Sequence, residues 1–212
     1  MSVDSLSEVH LTSLGLNFGQ RALKRGFDVV GAIGALALLW PVIVIGWIVA
    51  RRDTGASGMF MQERIGRNGR PFRVIKLRTM RPSAIGSTVT VAGDARITPW
   101  GARLRRWKVD ELPQLWNVLV GEMSFVGPRP DVPGYLDRLS GGDRVLLTLR
   151  PGMTGPATLA YRDEEALLAA QHDPQCYNDE VIWPDKVRIN RHYVETWSLI
   201  GDLRCLIRTV KR

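Results

Sequence analysis

The chain has few of the residues that build disulfide frameworks or zinc sites. Its 212 residues include two cysteines and three histidines. Cys176 and Cys205 lie far apart in the sequence, which argues against a disulfide scaffold and favours a reducing compartment. The histidines form no pair at zinc-binding spacing, so a zinc enzyme is not expected. No internal repeat is visible, and no linker divides the chain into two domains.

Acidic residues are in the minority. The 29 lysines and arginines exceed the 21 aspartates and glutamates, and the formal net charge is +8. This excess predicts an anionic partner: a phosphorylated substrate, an anionic lipid surface or a nucleic acid. Between Arg64 and Lys108, twelve basic residues accompany a single acid, Asp94. A solvated basic face is one interpretation of that stretch, and binding of phosphates and lipid head groups is the other.

One long stretch has no charge at all. Residues 29–50 run for 22 positions without an acidic or basic side chain. As a straight helix they would be about 33 Å long, enough to cross a bilayer. The flanks are basic, with Lys24 and Arg25 on one side and Arg51 and Arg52 on the other. Because basic flanks prefer the cytoplasmic side of a membrane, both ends favour the same side.

A proline in this run indicates how both ends could reach one side. Pro41 removes a helical hydrogen bond and favours a kink. The sequence therefore predicts a re-entrant membrane helix over residues 21–52, which bends near Trp40 and Pro41 and returns to the cytoplasmic face. The alternatives are a plain spanning helix and a buried helix of a soluble core. Residues 1–20 are predicted as an N-terminal arm and residues 53–212 as the cytosolic part.

Short elements follow the apolar run. Strands are predicted at residues 59–61 and 72–77 around a turn at residues 66–69, which together make a hairpin. Residues 82–94 are rich in Gly, Ser and Thr and predict a flexible loop. Residues 94–109 predict a helix in which Trp100, Leu104 and Trp107 are spaced as one stripe. Such a basic helix can lie in the headgroup plane, although a tryptophan stripe can equally be plain core.

The C-terminal part is predicted to be helical. Residues 164–169 fit a short helix. Residues 182–212 predict a helix with one wide apolar face, which either packs on the core or lies on the membrane. The residues of this face are Tyr193, Val194, Trp197, Leu199, Ile200, Leu203, Leu206, Ile207 and Val210.

Two adjacent carboxylates stand out in residues 108–130, KVDELPQLWNVLVGEMSFVGPRP. Pro113 suits the first turn of a helix, and the apolar residues after it fit a short buried helix that closes near Gly121. Asp110 and Glu111 then lie at or just before a helix N-terminus, where free N–H groups favour the charged form of a carboxylate. Arg129, braced by two prolines, can present its planar fork to a phosphate.

A carboxylate pair among so many cations fits metal-assisted phosphoryl transfer. An isolated Asp-Glu pair is usually a plain surface feature, but the helix start, the cations and Arg129 favour a site. Oxygen ligands and phosphates indicate Mg²⁺, held by Asp110 and Glu111. Surface polar residues are the alternative interpretation of every further candidate ligand. The candidates for phosphate or substrate binding are Lys76, Arg78, Arg105, Gln114, Asn117 and Arg129.

The stretch DELPQLWNVLVGEMSFVGPRP resembles the signature of the bacterial sugar transferases, which are small monotopic polyprenyl-phosphate phosphoglycosyl transferases. QERIG and FRVIKLRTM in the hairpin and RPGMTG at 150–155 extend the resemblance over roughly Lys24 to Val210. It implies an α+β, mostly helical monotopic membrane protein. The expected parts are a proline-kinked re-entrant helix, amphipathic interfacial helices and a small β-hairpin within one catalytic domain spanning residues 1–212.

The resemblance also implies a reaction. Asp110 would attack the β-phosphate of a UDP-sugar and expel UMP, with Glu111 assisting and Mg²⁺ bound at the pair. Polyprenyl phosphate would then accept the phosphosugar, so the kinetics would be ping-pong. The expected location is the cytoplasmic face of the bacterial inner membrane, at the first membrane step of glycoconjugate assembly. Membrane lipids are expected partners, nucleic acid is not, and a homodimer is one possible assembly.

The chain departs from the family pattern at two places. Many members have Ser where Trp40 precedes the proline, and Asp where Asn190 stands. Asp185 is a candidate substitute for that acid, while Asp202 is predicted either as a helix-surface acid or as a ligand. Two rival functions are a basic membrane-tethered nucleic-acid binder and a lipid-binding scaffold with a decayed site. No nucleic-acid reading motif is visible, and the intact DELPQ and GPRP runs argue against decay.

Overall fold

A computed structural model describes residues 15–82 and 94–211 of the chain. Most of the predicted N-terminal arm and nearly all of the predicted flexible loop lie outside the described residues. The described part is mostly helical and contains two small two-stranded sheets. This agrees with the predicted helical character and with the single predicted hairpin, to which the structure adds a second, parallel strand pair.

The first helix, α1, spans Phe18–Thr54. Asn17 caps it, accepting a hydrogen bond from the Gln20 backbone N–H, while the Gln20 side chain accepts one from the Asn17 N–H. This capping box starts the helix earlier than predicted. Gly55, at φ 68°, ends it in the left-handed conformation that favours glycine. By length and composition α1 is able to cross a membrane, and Pro41 lies inside it.

Helix α1 is buried in its first and last parts and not in its middle. Its buried residues fall into two groups with four-residue spacing, and no residue between 33 and 45, all of them described, is buried. Ala32 of the first group packs with Val74 and Val118. Ala50 of the second group packs with Leu77. The buried residues are Lys24, Asp28, Ala32, Gly46, Ala50 and Thr54.

The predicted hairpin is confirmed, with longer strands. Strand β1, Met59–Ile65, pairs antiparallel with β2, Pro71–Leu77, so that Met59 lies opposite Leu77. A 3₁₀ turn at Arg67–Gly69 joins them. Both clusters that bury α1 include a residue of β2, with Val74 packed near Ala32 and Leu77 near Ala50.

The tryptophan-bearing helix α2 is short. It spans Pro99–Arg106, and the Thr98 hydroxyl caps it by accepting from the Gly101 N–H. The prediction of a helix over residues 94–109 is therefore wrong at both ends, because the Thr98 cap and the following proline fix a later start. Leu104 is buried against Ala50, whereas Trp107 is 74% exposed. The tryptophans do not belong to the core.

A short buried helix and a pair of short strands follow. Helix α3 spans Gln114–Val120 and ends at Gly121, whose φ of 92° requires a glycine-like conformation, as predicted. Strand β3, Ser124–Val126, pairs in parallel with β4, Gly152–Thr154. The largest apolar core lies beside them. Its fully or nearly fully buried members include Val126, Leu136, Val145, Leu146, Tyr193 and Val194.

The remaining helices surround this core. Helices α4 and α5 span Pro156–Ala160 and Glu164–Ala169, the second of them as predicted. Helix α6 is Pro174–Tyr177, and a π turn at Asn178–Ile182 leads into α7, Trp183–Glu195. Helix α8 is Leu199–Val210.

The predicted continuous apolar face over residues 182–212 is wrong. The chain leaves the helix after Glu195, and the Ser198 hydroxyl accepts from the Gly201 N–H to start α8 in a new direction. Trp197 is therefore buried in the core, while Ile207 is exposed on α8. Core packing is confirmed for the first segment, whereas membrane contact stays a prediction for the exposed apolar residues of α8.

A buried ion pair joins the two ends of the chain. Asp202 of α8 is fully buried and accepts hydrogen bonds from Lys24 Nζ at 2.6 Å, the Tyr193 hydroxyl at 2.7 Å and Trp197 Nε1 at 3.1 Å. The prediction of a helix-surface acid is therefore wrong for Asp202. Its oxygens are occupied by protein donors and fasten α1 to the C-terminal helices.

Candidate active site

The two adjacent carboxylates lie where the sequence predicts, just before a helix. A 3₁₀ turn at Val109–Glu111 precedes Pro113, which occupies the N-cap position of α3. Lys108 enters this turn with a φ of 57°, a left-handed conformation that is uncommon for a residue other than glycine. Asp110 is 7% exposed and Glu111 is 9% exposed. Both carboxylates are thus held in a buried turn.

Three parts of the chain meet at Glu111. Its Oε1 atom accepts a hydrogen bond from Arg129 Nη2 at 2.7 Å and lies 3.5 Å from Lys76 Nζ. Lys76 comes from β2, and Arg129 comes from the GPRP segment after β3. Because the three segments are distant in sequence, the fold itself assembles two predicted phosphate ligands around one member of the predicted catalytic pair.

The two carboxylates have opposite electrostatic environments. Burial alone would raise the pKa of Glu111, but Arg129 and Lys76 hold that pKa well below its usual range. Burial and the neighbouring charge of Glu111 raise the pKa of Asp110 above its usual value. Glu111 therefore favours the ionised form, as expected for both residues, but the cause is its neighbouring cations and not the helix start. Asp110 does not follow the expectation, because desolvation raises its pKa.

The pKa of Lys76 is shifted as well. Its burial, followed by the charge of Arg129, lowers the pKa of Lys76 to about 8, while Glu111 acts in the opposite direction. Arg129 has its pKa raised by Glu111 and stays charged. The site therefore contains one permanent cation and one cation whose charge changes just above neutral pH.

Several polar atoms at this site have no protein partner. Within the described residues, Asp110 Oδ1, Gln114 Nε2 and Arg105 Nη1 are buried without a hydrogen bond. Arg105 also lowers the pKa of Asp110 by its charge, while its Nη2 binds Glu165 Oε1 at 2.8 Å. Because unpaired buried polar atoms are costly, these acceptors and donors indicate a place prepared for a ligand.

Two predicted ligands have other contacts. Arg78 donates from Nε to the Ser57 carbonyl at 2.7 Å and lies over the Phe60 ring. Asn117 is buried, accepts from the Ile75 N–H and donates to the Arg73 carbonyl. These bonds fix the hairpin to its neighbours. A role in substrate binding stays a prediction for both residues, and their contacts do not support it.

The structure adds two charged residues that sequence reasoning missed. Arg64 donates to the Pro130 carbonyl at 3.2 Å, within the segment that carries Arg129. Asp131 is the next residue, and burial raises its pKa to about 6 against the opposing charges of Lys186 and Arg64. The signals that could have identified them were the position of Arg64 inside the QERIG motif and the position of Asp131 directly after GPRP.

Two residues of α7 bear on the departure from the family pattern, Asp185 as the candidate substitute and Asn190 as the residue that stands in place of the acid. Asp185 accepts from the Tyr161 hydroxyl at 2.8 Å and from Arg188. Asn190 is buried, and its Oδ1 has no partner among the described residues. The contacts of Asp185 are thus with α4 and its own helix, and they do not connect it to the carboxylate pair.

The carboxylate pair fits a magnesium ion shared with a phosphate. In the part of the chain that the structure describes, no group of three or more His, Cys, Asp or Glu side chains could hold a metal. Mg²⁺ in phosphate-handling sites usually takes one or two carboxylates, with water and phosphate oxygens completing the shell. Asp110, with its unpartnered Oδ1, and the neighbouring Glu111 match that donor set.

Comparisons with known proteins agree on one family. A family model described as bacterial sugar transferase matches residues 19–212. The chain is 36% identical over 207 residues to a UDP-galactose-lipid carrier transferase of Erwinia amylovora. It is 33% identical over 204 residues to the exopolysaccharide production protein ExoY of Sinorhizobium fredii, and 35% identical over 192 residues to a UDP-glucose:undecaprenyl-phosphate glucose-1-phosphate transferase of Caulobacter vibrioides.

These matches cover most of this chain and differing shares of the relatives. They include 90% of the chain for the Erwinia protein and 88% for each of the other two. The chain spans 40% of the length of the Erwinia protein, 83% of the Sinorhizobium protein and 68% of the Caulobacter protein. The common part includes both carboxylates and the residues around them.

Proposed function

Because this chain belongs to the bacterial sugar transferase family, we propose that it transfers a sugar 1-phosphate from a UDP-sugar to polyprenyl phosphate. The products are UMP and a polyprenyl-diphosphate-sugar. The observation that carries the proposal is the buried Asp110, whose Oδ1 has no protein partner and lies among cations suited to phosphate. The names of the Erwinia and Caulobacter relatives support the substrate classes, a UDP-sugar and a lipid carrier.

Asp110 is the nucleophile of this proposal. In the first half-reaction an Asp110 carboxylate oxygen bonds to the β-phosphorus, and the bond from that phosphorus to the oxygen bridging to UMP breaks. UMP leaves with the bonding electrons. In the second, an oxygen of polyprenyl phosphate bonds to the same phosphorus, and the aspartyl bond breaks. A raised pKa suits Asp110, since a more basic carboxylate is the stronger nucleophile.

The surrounding charges have separate roles. Arg129 and Lys76 stabilise the negative charge that develops on the phosphoryl oxygens and on the leaving UMP. Glu111, held by both cations, keeps them in place and stays ionised. Mg²⁺ bound by Asp110 and Glu111 would supply a Lewis acid that neutralises phosphate charge. Gln114 and Arg105 offer their unpartnered nitrogens to substrate oxygens.

The packing of α1 supports a re-entrant placement in the membrane. Ala32 and Ala50 are 18 residues apart, about 27 Å along a straight helix. They pack with Val74 and Leu77, which are three residues apart, about 10 Å along a strand. Contact of both helix ends with one strand of a polar domain favours a bend near Pro41 and one common side of the membrane.

Exposed tryptophans support a position at the membrane surface. Indole rings prefer the boundary between lipid tails and water. Four of the chain's tryptophans are strongly exposed, and they are Trp40, Trp100, Trp107 and Trp116. With the basic flanks of α1, they favour the cytoplasmic face of the bacterial inner membrane, where a lipid phosphate and a cytosolic nucleotide sugar meet. The proposed role is the first membrane step of polysaccharide assembly.

Release of UMP tests the reaction. The purified protein is incubated with Mg²⁺, polyprenyl phosphate and a panel of UDP-sugars, and UMP is measured. We expect release with at least one sugar and dependence on both Mg²⁺ and lipid for turnover. Without lipid, a UDP-sugar labelled in its β-phosphate should leave label on the protein. Turnover without any labelled adduct under trapping conditions would overturn the covalent route.

Cysteine labelling tests the topology. Gly19→Cys and Ser57→Cys, placed just outside the two ends of the apolar run in a chain with Cys176 and Cys205 changed to serine, should react with an impermeant maleimide from the same side of sealed vesicles. Labelling from opposite sides would establish a spanning helix instead.

A further inference from the structure

A second cluster of positive charge lies at the start of α1, and the proposed reaction does not use it. Three arginines from separate parts of the chain line a cavity of about 20 Å³ there: Arg21 of α1, Arg67 of the hairpin turn and Arg150 just before β4. Lys24 and Asp28 lie on the same cavity wall. The fold therefore gathers at least four cations around one small space.

The nearby carboxylates already have partners other than the three arginines. Asp28 accepts from the Ser124 hydroxyl and the Phe125 N–H, both at 3.0 Å. Lys24 is paired with Asp202. Over the described ranges, none of the three arginines that line the cavity forms an ion pair with a carboxylate. The charge of Asp28 acts on Arg150 and offsets part of the positive charge. The four cations still exceed Asp28 and Asp202, so the cluster retains a net positive charge.

Two guanidinium nitrogens in the cluster are buried but form no hydrogen bond within the described part of the chain. Among the residues described, the Nε atoms of Arg21 and Arg67 have no hydrogen-bond partner. Burial and the charge of Arg21 lower the pKa of Arg67. Burial, with the charges of Arg25 and Arg67, lowers that of Arg150. Like charges held this closely, with free donors between them, match a site for an anion.

The cluster is separate from the carboxylate pair. Arg67 lies in the turn at one end of the hairpin, whereas Lys76 lies near the other end. The five residue steps from Pro71 to Lys76 extend about 17 Å along β2. Arg21 precedes the uncharged run by eight residues, about 12 Å of helix. With α1 placed in the membrane as proposed above, the cavity lies beyond the apolar run, on the head-group side of the membrane.

We propose that Arg21, Arg67 and Arg150 form a binding site for the phosphate of an anionic membrane lipid, distinct from the catalytic pocket. The cavity has room for about one water-sized atom, so one unesterified phosphate oxygen enters it while the rest of the head group stays at the surface. Planar guanidinium groups suit such an oxygen better than point charges do. The inference rests on the proposed membrane placement and not on the transfer reaction.

Thermal unfolding of the full chain in neutral detergent tests the site. The probes are dihexanoyl phosphatidylglycerol, dihexanoyl phosphatidylcholine and inorganic phosphate at constant ionic strength. We expect phosphatidylglycerol to raise the unfolding midpoint in a saturable way and phosphatidylcholine to have no such effect. Stabilisation by inorganic phosphate without any by phosphatidylglycerol would overturn the lipid assignment.

Matched variants locate the effect. Arg67→Gln and Arg21→Gln should each weaken the apparent affinity for phosphatidylglycerol about tenfold or more. Arg70→Gln removes the same charge from an exposed position next to the hairpin turn, outside the cavity, and should respond like wild type. Equal responses from wild type and Arg67→Gln would overturn the site.

A conservative variant separates binding from folding. Arg67→Lys keeps the charge and removes the fork, so it should unfold at the wild-type midpoint without lipid and bind phosphatidylglycerol more weakly. Wild-type affinity in Arg67→Lys would mean unspecific attraction to charge and would also overturn the proposal. UMP release in the same preparations tests the proposed reaction separately, since Arg67 lies outside the catalytic pocket.

Discussion

Two buried groups of charged residues, one around Asp202 and one around Asp110, differ in how fully their polar atoms are bonded. Around Asp202, three donors converge on one carboxylate, and the ion pair with Lys24 joins α1 to α8. Around Asp110, by contrast, carboxylate, amide and guanidinium atoms are buried without partners. The oxygens of Asp202 are bonded by protein donors, whereas the atoms around Asp110 stay available to a ligand. Burial alone therefore does not distinguish the two carboxylates, and their hydrogen-bond partners do.

The largest expected effect comes from the group around Asp110. Asp110→Asn should lower UMP release at least about 10³-fold, because the amide cannot form the aspartyl phosphate. Burial and Glu111 raise the pKa of Asp110, so its ionised form opposes folding at neutral pH. The unfolding midpoint of the variant should therefore be unchanged or higher. Activity retained in Asp110→Asn would remove the proposed nucleophile.

The same change in the group around Asp202 should have the opposite signature. Asp202→Asn leaves Lys24 charged and buried, which costs about 3–5 kcal/mol of folding free energy. Denaturant unfolding measures this loss, and any protein that stays folded should keep a normal rate of UMP release per folded molecule. The double variant Lys24→Met with Asp202→Leu is the control, because it removes both charges and should recover much of the stability.

Neighbouring amides on α3 sharpen the comparison within one helix. Asn117→Leu leaves the Ile75 N–H and the Arg73 carbonyl without their partner and should cost about 1–3 kcal/mol of stability. Gln114→Met removes a nitrogen that has no protein partner, so stability should hold while the KM for the UDP-sugar rises. A stability loss in Gln114→Met with unchanged KM would assign Gln114 to the structure.

The smallest expected effect depends on pH. Lys76 has a lowered pKa of about 8, so its charge is present below that pH and is lost as the pH rises through it. The kcat/KM for UMP release should fall above about pH 8, approaching tenfold per pH unit. Lys76→Arg should keep its charge and move this fall to a higher pH. A profile unchanged by that substitution would exclude Lys76 as its source.

Local signals in the sequence identified the group around Asp110 better than the group around Asp202. Pro113 and Gly121 are adjacent in the chain to the turn and helix that they position, so the turn before α3 and the end of α3 were predictable. Arg129 was predicted as a phosphate ligand, and its contact with Glu111 was not predicted. Lys24 and Asp202 are 178 residues apart. Neither has a neighbour that indicates the other, and Asp202 was predicted as an exposed acid or a ligand.

Other differences between prediction and structure have causes that the pattern of apolar residues does not reveal. The apolar spacing continues from Tyr193 to Val210, but the Ser198 cap divides it into two helices. Asn117 was predicted as a substrate ligand, but its side chain is bonded to the backbone of Ile75 and Arg73 in β2, which is distant in sequence. The opposite pKa shifts of Asp110 and Glu111 depend on how deeply each carboxylate is buried and which cations lie beside it. The spacing of residues in the sequence does not give this information.

The way α1 is attached also determines what can be cut from this protein. Helix α1 is part of the hydrophobic interior, because Ala32 packs with Val74 and Val118, and Ala50 packs with Leu77 and Leu104. A fragment that begins after Gly55 would expose these apolar side chains to water and would lose Lys24, the partner of Asp202. Removing α1 to obtain a soluble enzyme should therefore yield aggregates, and purification has to retain this helix together with a detergent that covers its apolar surface.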